Sequence, residues 1–408
     1  MSIKTDSFLS SLQRSFEEIN AADPLKGMRA KAWDHFLELG LPDKQDDAFQ
    51  YVPLRRLYEL ELQPSVRQFE AVGPYPECRG SFLVFVNGYY SPELSDISQL
   101  PKKVIALPFC EAMKSYGPFL QSGWSQALKE ERDPFAILNL AIHSQGLFFY
   151  VPPHVKIEAP IQALFLTTEK NILAPARAQI FLGTQAEVQW ISTVTGEGLH
   201  QTLLDVVLEP GASFTQTSLS NAEFHLNFLR STLKRDSRLR YLGLANTGLS
   251  RHSLESILQG ENTDVLLQGL WHLKNEAQIH THVRVEHAAP HARSLQKFKG
   301  VLENRAQSSF AGKIYVHPHA EKTEAYQLNQ NLLLSPGAIA QAKPNLEIFN
   351  PDVKASHGAT MSQVDEEQLF YLQSRGLSAE EAGRLLVQGF IQEMLDQIPH
   401  PFLRQHYV

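Results

Sequence analysis

Two runs near the middle of the chain decide its fold class: VLLQGLWHL at Val265–Leu273 and IHTHVRV at Ile279–Val285, separated by Lys274-Asn275-Glu276-Ala277-Gln278. Each run is apolar-rich and of strand length. The segment between them is too short and too polar to continue either. Runs of the same kind lie on both sides: Ile161–Leu166, Ala178–Leu182, Val188–Val194, Leu203–Leu208, Phe214–Leu219, Phe224–Leu233 and Ile314–Val316. They recur roughly every 8–12 residues, with Gly, Pro or Asn between many of them, the pattern of many short strands without interior helices. This character holds from about Leu147 to Phe349.

Two architectures fit such a region, a hairpin-rich sandwich and a coiled solenoid. No Asn-Gly or Asp-Gly dipeptide occurs between these limits, so the favoured two-residue hairpin turns are missing. Gly211-Ala212-Ser213-Phe214 and Gly337-Ala338-Ile339-Ala340 read as one turn-into-strand step used twice. Both points lean towards the solenoid, although no strict repeat period is visible.

The flanks read differently. Phe8, Leu9, Leu12 and Phe16 share one helical face, and Arg29–Leu39 reads as a second helix stopped at Gly40. Phe82–Val86, Asn87-Gly88 and Tyr89-Tyr90 predict a hairpin. Leu128–Ser144 reads as helical, with Pro134 near a start. Beyond Asn350-Pro351 the pattern turns helical again. Asp365 can cap a helix ending at Gly376, and Ser378 with Glu381 forms a capping box for another through about Gln397. Ala382, Leu385, Leu386, Phe390, Ile391, Met394 and Leu395 give that last helix a broad apolar face. The division predicted is 1–146 mainly helical, 147–362 β, 363–408 helical.

Composition narrows the function classes. The 408 residues carry 37 basic and 44 acidic side chains, a net charge of −7, with no basic run able to follow a phosphate backbone, so nucleic acid is not the expected partner. No apolar run is long enough to span a bilayer, and the first 25 residues lack the apolar stretch of a signal peptide. The two cysteines, Cys78 and Cys110, are too few for a disulfide framework, which points to the cytoplasm. They are also too few for a four-cysteine iron–sulfur site. Metal chemistry would use histidine, carboxylate or a partner's ligands. A nucleotide phosphate loop is absent, since Gln307 stands where Gly312-Lys313 needs its upstream glycine. Neither Gly-x-Ser-x-Gly nor Gly-x-Gly-x-x-Gly occurs.

Histidines remain. His280 and His282 point to the same side of a strand, and with Glu286 they form His-x-His-x3-Glu, the core of the cupin metal motif. The glycines that frame that motif would fall at Lys274 and Arg293, and a solvated strand surface is the plainer reading. His357, in Asp352-Val353-Lys354-Ala355-Ser356-His357-Gly358-Ala359-Thr360, sits where the β region meets the tail, a position suited to function. A satisfied structural histidine is the alternative there.

That segment, followed by Asp365-Glu366-Glu367-Gln368-Leu369-Phe370-Tyr371-Leu372-Gln373-Ser374-Arg375-Gly376, closely resembles the terminal block of the SufB/SufD family, scaffold subunits of iron–sulfur cluster assembly. Asn329–Leu334, Lys343–Ile348, Gly40-Leu41-Pro42 and Phe49–Leu54 extend the likeness over nearly the whole chain. Ser356-His357-Gly358 resembles the SufD form of the segment, where SufB tends to Glu-His-Glu. The resemblance implies a right-handed parallel β-helix between helical domains, and a non-catalytic scaffold. It further implies a SufB-like partner joined through the β-helix ends and a SufC-like ATPase on the C-terminal helices. Expected ATPase contacts are Leu369, Phe370, Leu385, Leu386 and Phe390. His357 is implied to lie at the subunit interface, holding iron or a transient cluster only in the complex, with none bound stably by the chain alone. The family block commonly has cysteine where this chain has Ala355, so no thiolate is available there. A homodimer of the isolated chain is possible on the same surface. The second function reading is a cupin-like metal enzyme using His280, His282 and Glu286.

Overall fold

The computed structural model describes residues 3–20, 25–68 and 73–407. Its strands are β1 (Phe82–Val86), β2 (Tyr89–Asp96), β3 (Ile105–Pro108), β4 (Leu147–Val151), β5 (Ile161–Leu166), β6 (Leu173–Leu182), β7 (Glu187–Leu208), β8 (Ser213–Leu233) and β9 (Arg238–Ala245). There follow β10 (Leu249–Leu258), β11 (Asp264–Leu273), β12 (Gln278–His287), β13 (Arg293–Leu302), β14 (Gln307–Val316), β15 (Thr323–Leu333), β16 (Ile339–Ile348) and β17 (Val353–Ser362). From β4 onward the strands coil into a parallel β-solenoid of about 7 turns. Each turn adds one strand to each of two facing sheets. The first sheet holds β4, β6, the C-terminal halves of β7 and β8, then β10, β12, β14 and β16. The second holds β5, the N-terminal halves of β7 and β8, then β9, β11, β13, β15 and β17. All these pairings are parallel, which excludes the sandwich.

Coil length drifts along the stack. Leu199 lies opposite Phe224 and Phe224 opposite Leu249, 25 residues on each time. Leu249, Gln278 and Gln307 follow one another at 29, and Ile339 faces Gln307 at 32. This drift hides the repeat from any search for a fixed period. The corner that feeds the second sheet has a left-handed residue in coil after coil: Gln185, Gly211, Asp236, Asn262, His291 and Lys322, with φ between 55° and 73°. Asn, Asp and Gly adopt that conformation at least cost. Asn262 also donates to Asp236 one coil below, at 3.1 Å. The two glycine steps read as equivalent share a turn hydrogen bond, Ala212 N to Glu209 O and Ala338 N to Ser335 O. They stand at opposite corners, and only Gly211 is left-handed. What repeats is a small buried residue that opens the next strand: Ala186, Ala212 and Ala306 are fully buried.

The N-terminal helices are α1 (Ile3–Asn20), α2 (Lys26–Leu39), α3 (Leu54–Tyr58), α4 (Phe109–Glu130) and α5 (Pro134–Ile142). Helix α4 was not expected from the sequence. Pro118 lies inside it beside Gly117, and its backbone leaves helical geometry at Tyr116, so its periodicity is broken. The helix read as Leu128–Ser144 is two elements: α4 ends at Glu130, and α5 starts at Pro134 under an Asp133 cap that accepts from Phe135 N. Phe135, Ile137 and Leu140 of α5 pack on Leu173, Leu203 and Phe228, which face outward from the first sheet.

The C-terminal helices are α6 (Glu366–Ser374), α7 (Ala379–Leu395) and α8 (Pro401–Tyr407). Pro401 opens α8. Ile391, Met394, Leu395 and Leu403 cover Leu242, Leu270, Val301 and Leu332 on the outer face of the second sheet. The helical tail therefore folds back along the solenoid's flank and leaves its end uncovered.

Candidate functional site at the open end of the solenoid

The last coil is the exposed one. Among the described residues β16 pairs with β14 alone and β17 with β15 alone, so each has one free edge. Their residues are half-buried or exposed throughout, whereas the strands beneath are mostly buried on alternate residues. Ile339, Phe349 and Met361 stand exposed at 46%, 55% and 40%. An unpaired strand edge beside exposed apolar side chains is a surface that native proteins ordinarily cover.

His357 lies on β17 directly opposite Gln327 of β15. Val353 and Ala355, on the same side of the strand, pack against Ile314, Val316 and Ala325 inside the solenoid, so His357 belongs to the inward row. It is exposed only because no coil follows. Lys354 and Ser356 occupy the outward row. Lys354 Nζ binds Glu324 at 3.1 Å on the outer surface, pointing away from His357. Ala355 is half-buried and offers no ligand. Among the described residues no group of three or more His, Cys, Asp or Glu is placed to hold a metal ion. One imidazole at an open edge is not by itself a metal site.

His280, His282 and Glu286 are not assembled as ligands. They sit on the outer face of the first sheet, against the helical domain. His280 Nδ1 meets Ser309 Oγ at 2.8 Å and its Nε2 meets Gln278 Oε1 at 3.2 Å, so both ring nitrogens are engaged. Glu286 takes Arg284 and His317, each at 2.7 Å. Burial drives both His280 and His282 down to about 3, and they stay neutral. A cupin also needs antiparallel strands, and these are parallel.

At the tail, Asp365 caps α6 through Glu367 N and Gln368 N, and the Ser378–Glu381 box opens α7. Helix α6 buries no residue. Phe370, Tyr371 and Leu385 are exposed at 72%, 56% and 49%. Glu367, Gln368, Tyr371, Leu372 and Leu386 line a shallow, mainly apolar groove between α6 and α7. Leu369 and Phe390 are half-buried; Phe390 lies under the Lys299 ammonium at 4.8 Å and its carbonyl accepts from the same group.

Sequence reading missed the seam that joins helices to solenoid. Arg251 donates to Asp133 at 2.6 Å and Arg230 to Glu131 at 2.6 Å; Arg177 pairs with Asp205. Arg177 and Arg251 are fully buried. Burial works to raise the Asp133 carboxyl, but Arg251 and Arg230 outweigh it and hold the group below the usual carboxylate range. The signal was in the sequence as an Asp205, Arg230, Glu255, Arg284 column, visible only once the coil lengths are known.

Residues 165–390 match the SUF-system FeS cluster assembly SufBD core domain, and residues 6–163 match the SufBD protein N-terminal region. The chain belongs to the SufBD family. An iron–sulfur cluster assembly SufBD family protein of Synechocystis is 31% identical over 92% of this chain and 88% of its own length. Iron–sulfur cluster assembly protein SufD of Escherichia coli is 28% identical over 90% and 88%. Iron–sulfur cluster assembly protein SufB of Bacillus subtilis is 24% identical over 91% and 85%. SufBD membership replaces the cupin reading. No helix among the described residues is long and apolar enough to cross a membrane.

Proposed function

We propose that this chain is a SufD-type scaffold that joins a SufB-like subunit through its open end and carries a SufC-like ATPase on α6 and α7. The observation that carries this reading is the uncovered last coil, β16 and β17, in a chain whose other end is closed by its own residues. Pairing between Leu346 and Val353 of this chain and a partner strand would satisfy the free edges. The isolated chain uses the same surface to homodimerise. His357 then faces the partner and supplies one imidazole donor to iron or to a nascent cluster, which is cargo of the complex and not a resident cofactor. With Ala355 beside it, the remaining donors come from the partner. The chain itself turns over no substrate, works in the cytoplasm, and gains ATP-driven motion from the bound ATPase.

Co-expression with SufB-like and SufC-like subunits tests this. A stable complex is expected, and His357→Ala should leave it assembled while lowering iron or cluster loading. Normal loading, or a complex that falls apart, removes the ligand role. Phe370→Glu should weaken only ATPase binding, because Phe370 is 72% exposed.

A further inference from the structure

Beneath His357 the inward row of the second sheet continues through Gln327 on β15 to Gln296 on β13, one residue per coil and in direct register. Both glutamines are buried, Gln296 completely and Gln327 to 3% exposure. Neither carboxamide has a hydrogen-bond partner at its oxygen or its nitrogen among the described residues. The neighbouring positions of the same lumen show the contrast. Asn331 donates to Asn329 at 2.8 Å and Ser308 donates to Asn331 at 2.9 Å, so those amides are engaged. Gly312 of β14 leaves room for the Phe310 ring and, beside it, the Gln327 amide: a Cβ there would stand 2.6 Å from Phe310 Cζ and 3.1 Å from Gln327 Nε2. A buried amide with nothing to bind is destabilising. Leucine would fill the same space without that cost. In-register parallel neighbours lie about 4.8 Å apart, so the Gln327 carboxamide is one strand below the imidazole and within reach of it.

We infer that Gln327 is a positioning residue for His357. Its carboxamide is unpaired in this structure; a turn of the His357 side chain would bring one ring nitrogen onto it, fixing the tautomer and leaving the other nitrogen aimed out of the open end. A ligating histidine commonly needs such a partner on its second nitrogen. An amide serves either tautomer, since it offers both a donor and an acceptor. Gln296, equally unpaired, lies in register one coil below. The inference rests on the proposed role of His357, and its first test is independent of iron.

The full chain, labelled with 15N at histidine, is compared with Gln327→Leu and Gln327→Asn by long-range 15N–1H spectra, with His357→Ala supplying the assignment. Wild type should show one dominant tautomer of His357, and Gln327→Leu a mixture, with a melting temperature at or above wild type. The shorter amide of Gln327→Asn should restore part of the wild-type ratio. An unchanged tautomer ratio in Gln327→Leu overturns the inference, whatever the iron result. The second test uses Fe(II) and the complex with the SufB-like subunit, where Gln327→Leu should weaken binding ~10–100-fold. If the tautomer shifts but Fe(II) binding is unchanged in both Gln327→Leu and His357→Ala, positioning stands and the iron role of His357 fails.

Discussion

The two ends of the solenoid are built from the same kind of strand and finished in opposite ways. At the first end, β1 turns back antiparallel on β2 and pairs with β5, and β3 runs antiparallel to β4. Antiparallel pairing stops the coil, and the helices bury what is left: Phe109, Phe135, Phe148 and Trp124 form one core with the outer face of the first sheet. At the last end nothing turns back. β16 and β17 keep their free edges, and the inward row that is buried in every earlier coil reaches the surface as Ala355, His357, Ala359 and Met361. A solenoid needs a cap at each end to stay soluble. Capping one end with its own chain and leaving the other bare is the asymmetry on which the proposed partner contact rests.

Acid should break the closed half hardest. His200 is pushed down to about 4 by burial, and His252 and His287 to about 3. His143 and His225 are also driven well below the ordinary value by burial. None belongs to β15, β16 or β17. In each case the folded value lies below the unfolded value near 6.5, so the native form refuses a proton that the unfolded chain accepts. Their stability contribution is intact above about 6.5 and is lost as pH falls towards 4 and 3, at ~1.4 kcal/mol per group per pH unit. Several such groups exceed the ~5–15 kcal/mol that holds a domain folded. Thermal melts should therefore drop steeply between pH 6.5 and 5. A melting temperature flat across that interval would mean that these imidazoles protonate in place.

Next in size is the seam. Asp133 caps α5 and pairs with the fully buried Arg251, so Asp133→Ala leaves a buried guanidinium without its counter-charge. That costs about 3–5 kcal/mol, read as a lower urea midpoint at unchanged m-value. A loss under ~1 kcal/mol would show that the seam is not what fastens the helices to the closed end.

These two regions differed in how far the sequence announced them. Strands such as Ile161–Leu166 and the caps at Asp365 and Ser378 were legible because they are local: a run of apolar residues, an oxygen three residues before a helix turn. His357 was legible as a junction histidine within a recognisable segment. What could not be read needs the coil lengths. The pairing of Gln296 under Gln327 under His357 spans steps of 31 and 30 residues, while the earlier coils use 25. The drift removes any fixed spacing that would bring those letters together. The His280, His282 and Glu286 set shows the reverse error: close in sequence and on one side of one strand, yet His280 is engaged by Ser309 and Gln278 and Glu286 by Arg284 and His317, with no common centre.

A smaller effect tests the tail. Ser378→Ala removes the side chain that caps α7 and half of its box with Glu381, costing ~1 kcal/mol. The loss should fray α7 at its exposed start and weaken binding of the ATPase, seen by calorimetry, with the solenoid's main unfolding transition nearly unmoved.

The smallest expected change in stability comes with the sharpest change in association. Met361 sits on the inward row of β17 at 40% exposure, where a buried coil would otherwise follow. In the isolated chain Met361→Glu places a carboxylate in water and should alter stability by no more than about 0.5 kcal/mol. In a covered interface the same carboxylate must be stripped of water without a matching cation, a penalty of several kcal/mol. Sedimentation at micromolar concentration should then show dimer for wild type and monomer for Met361→Glu, and the variant should fail to co-purify with the SufB-like subunit. A Met361→Glu chain that still associates, with melting unchanged, would show that β17 is free in the assembly as well. The bare end would then have to be explained by something other than a partner strand.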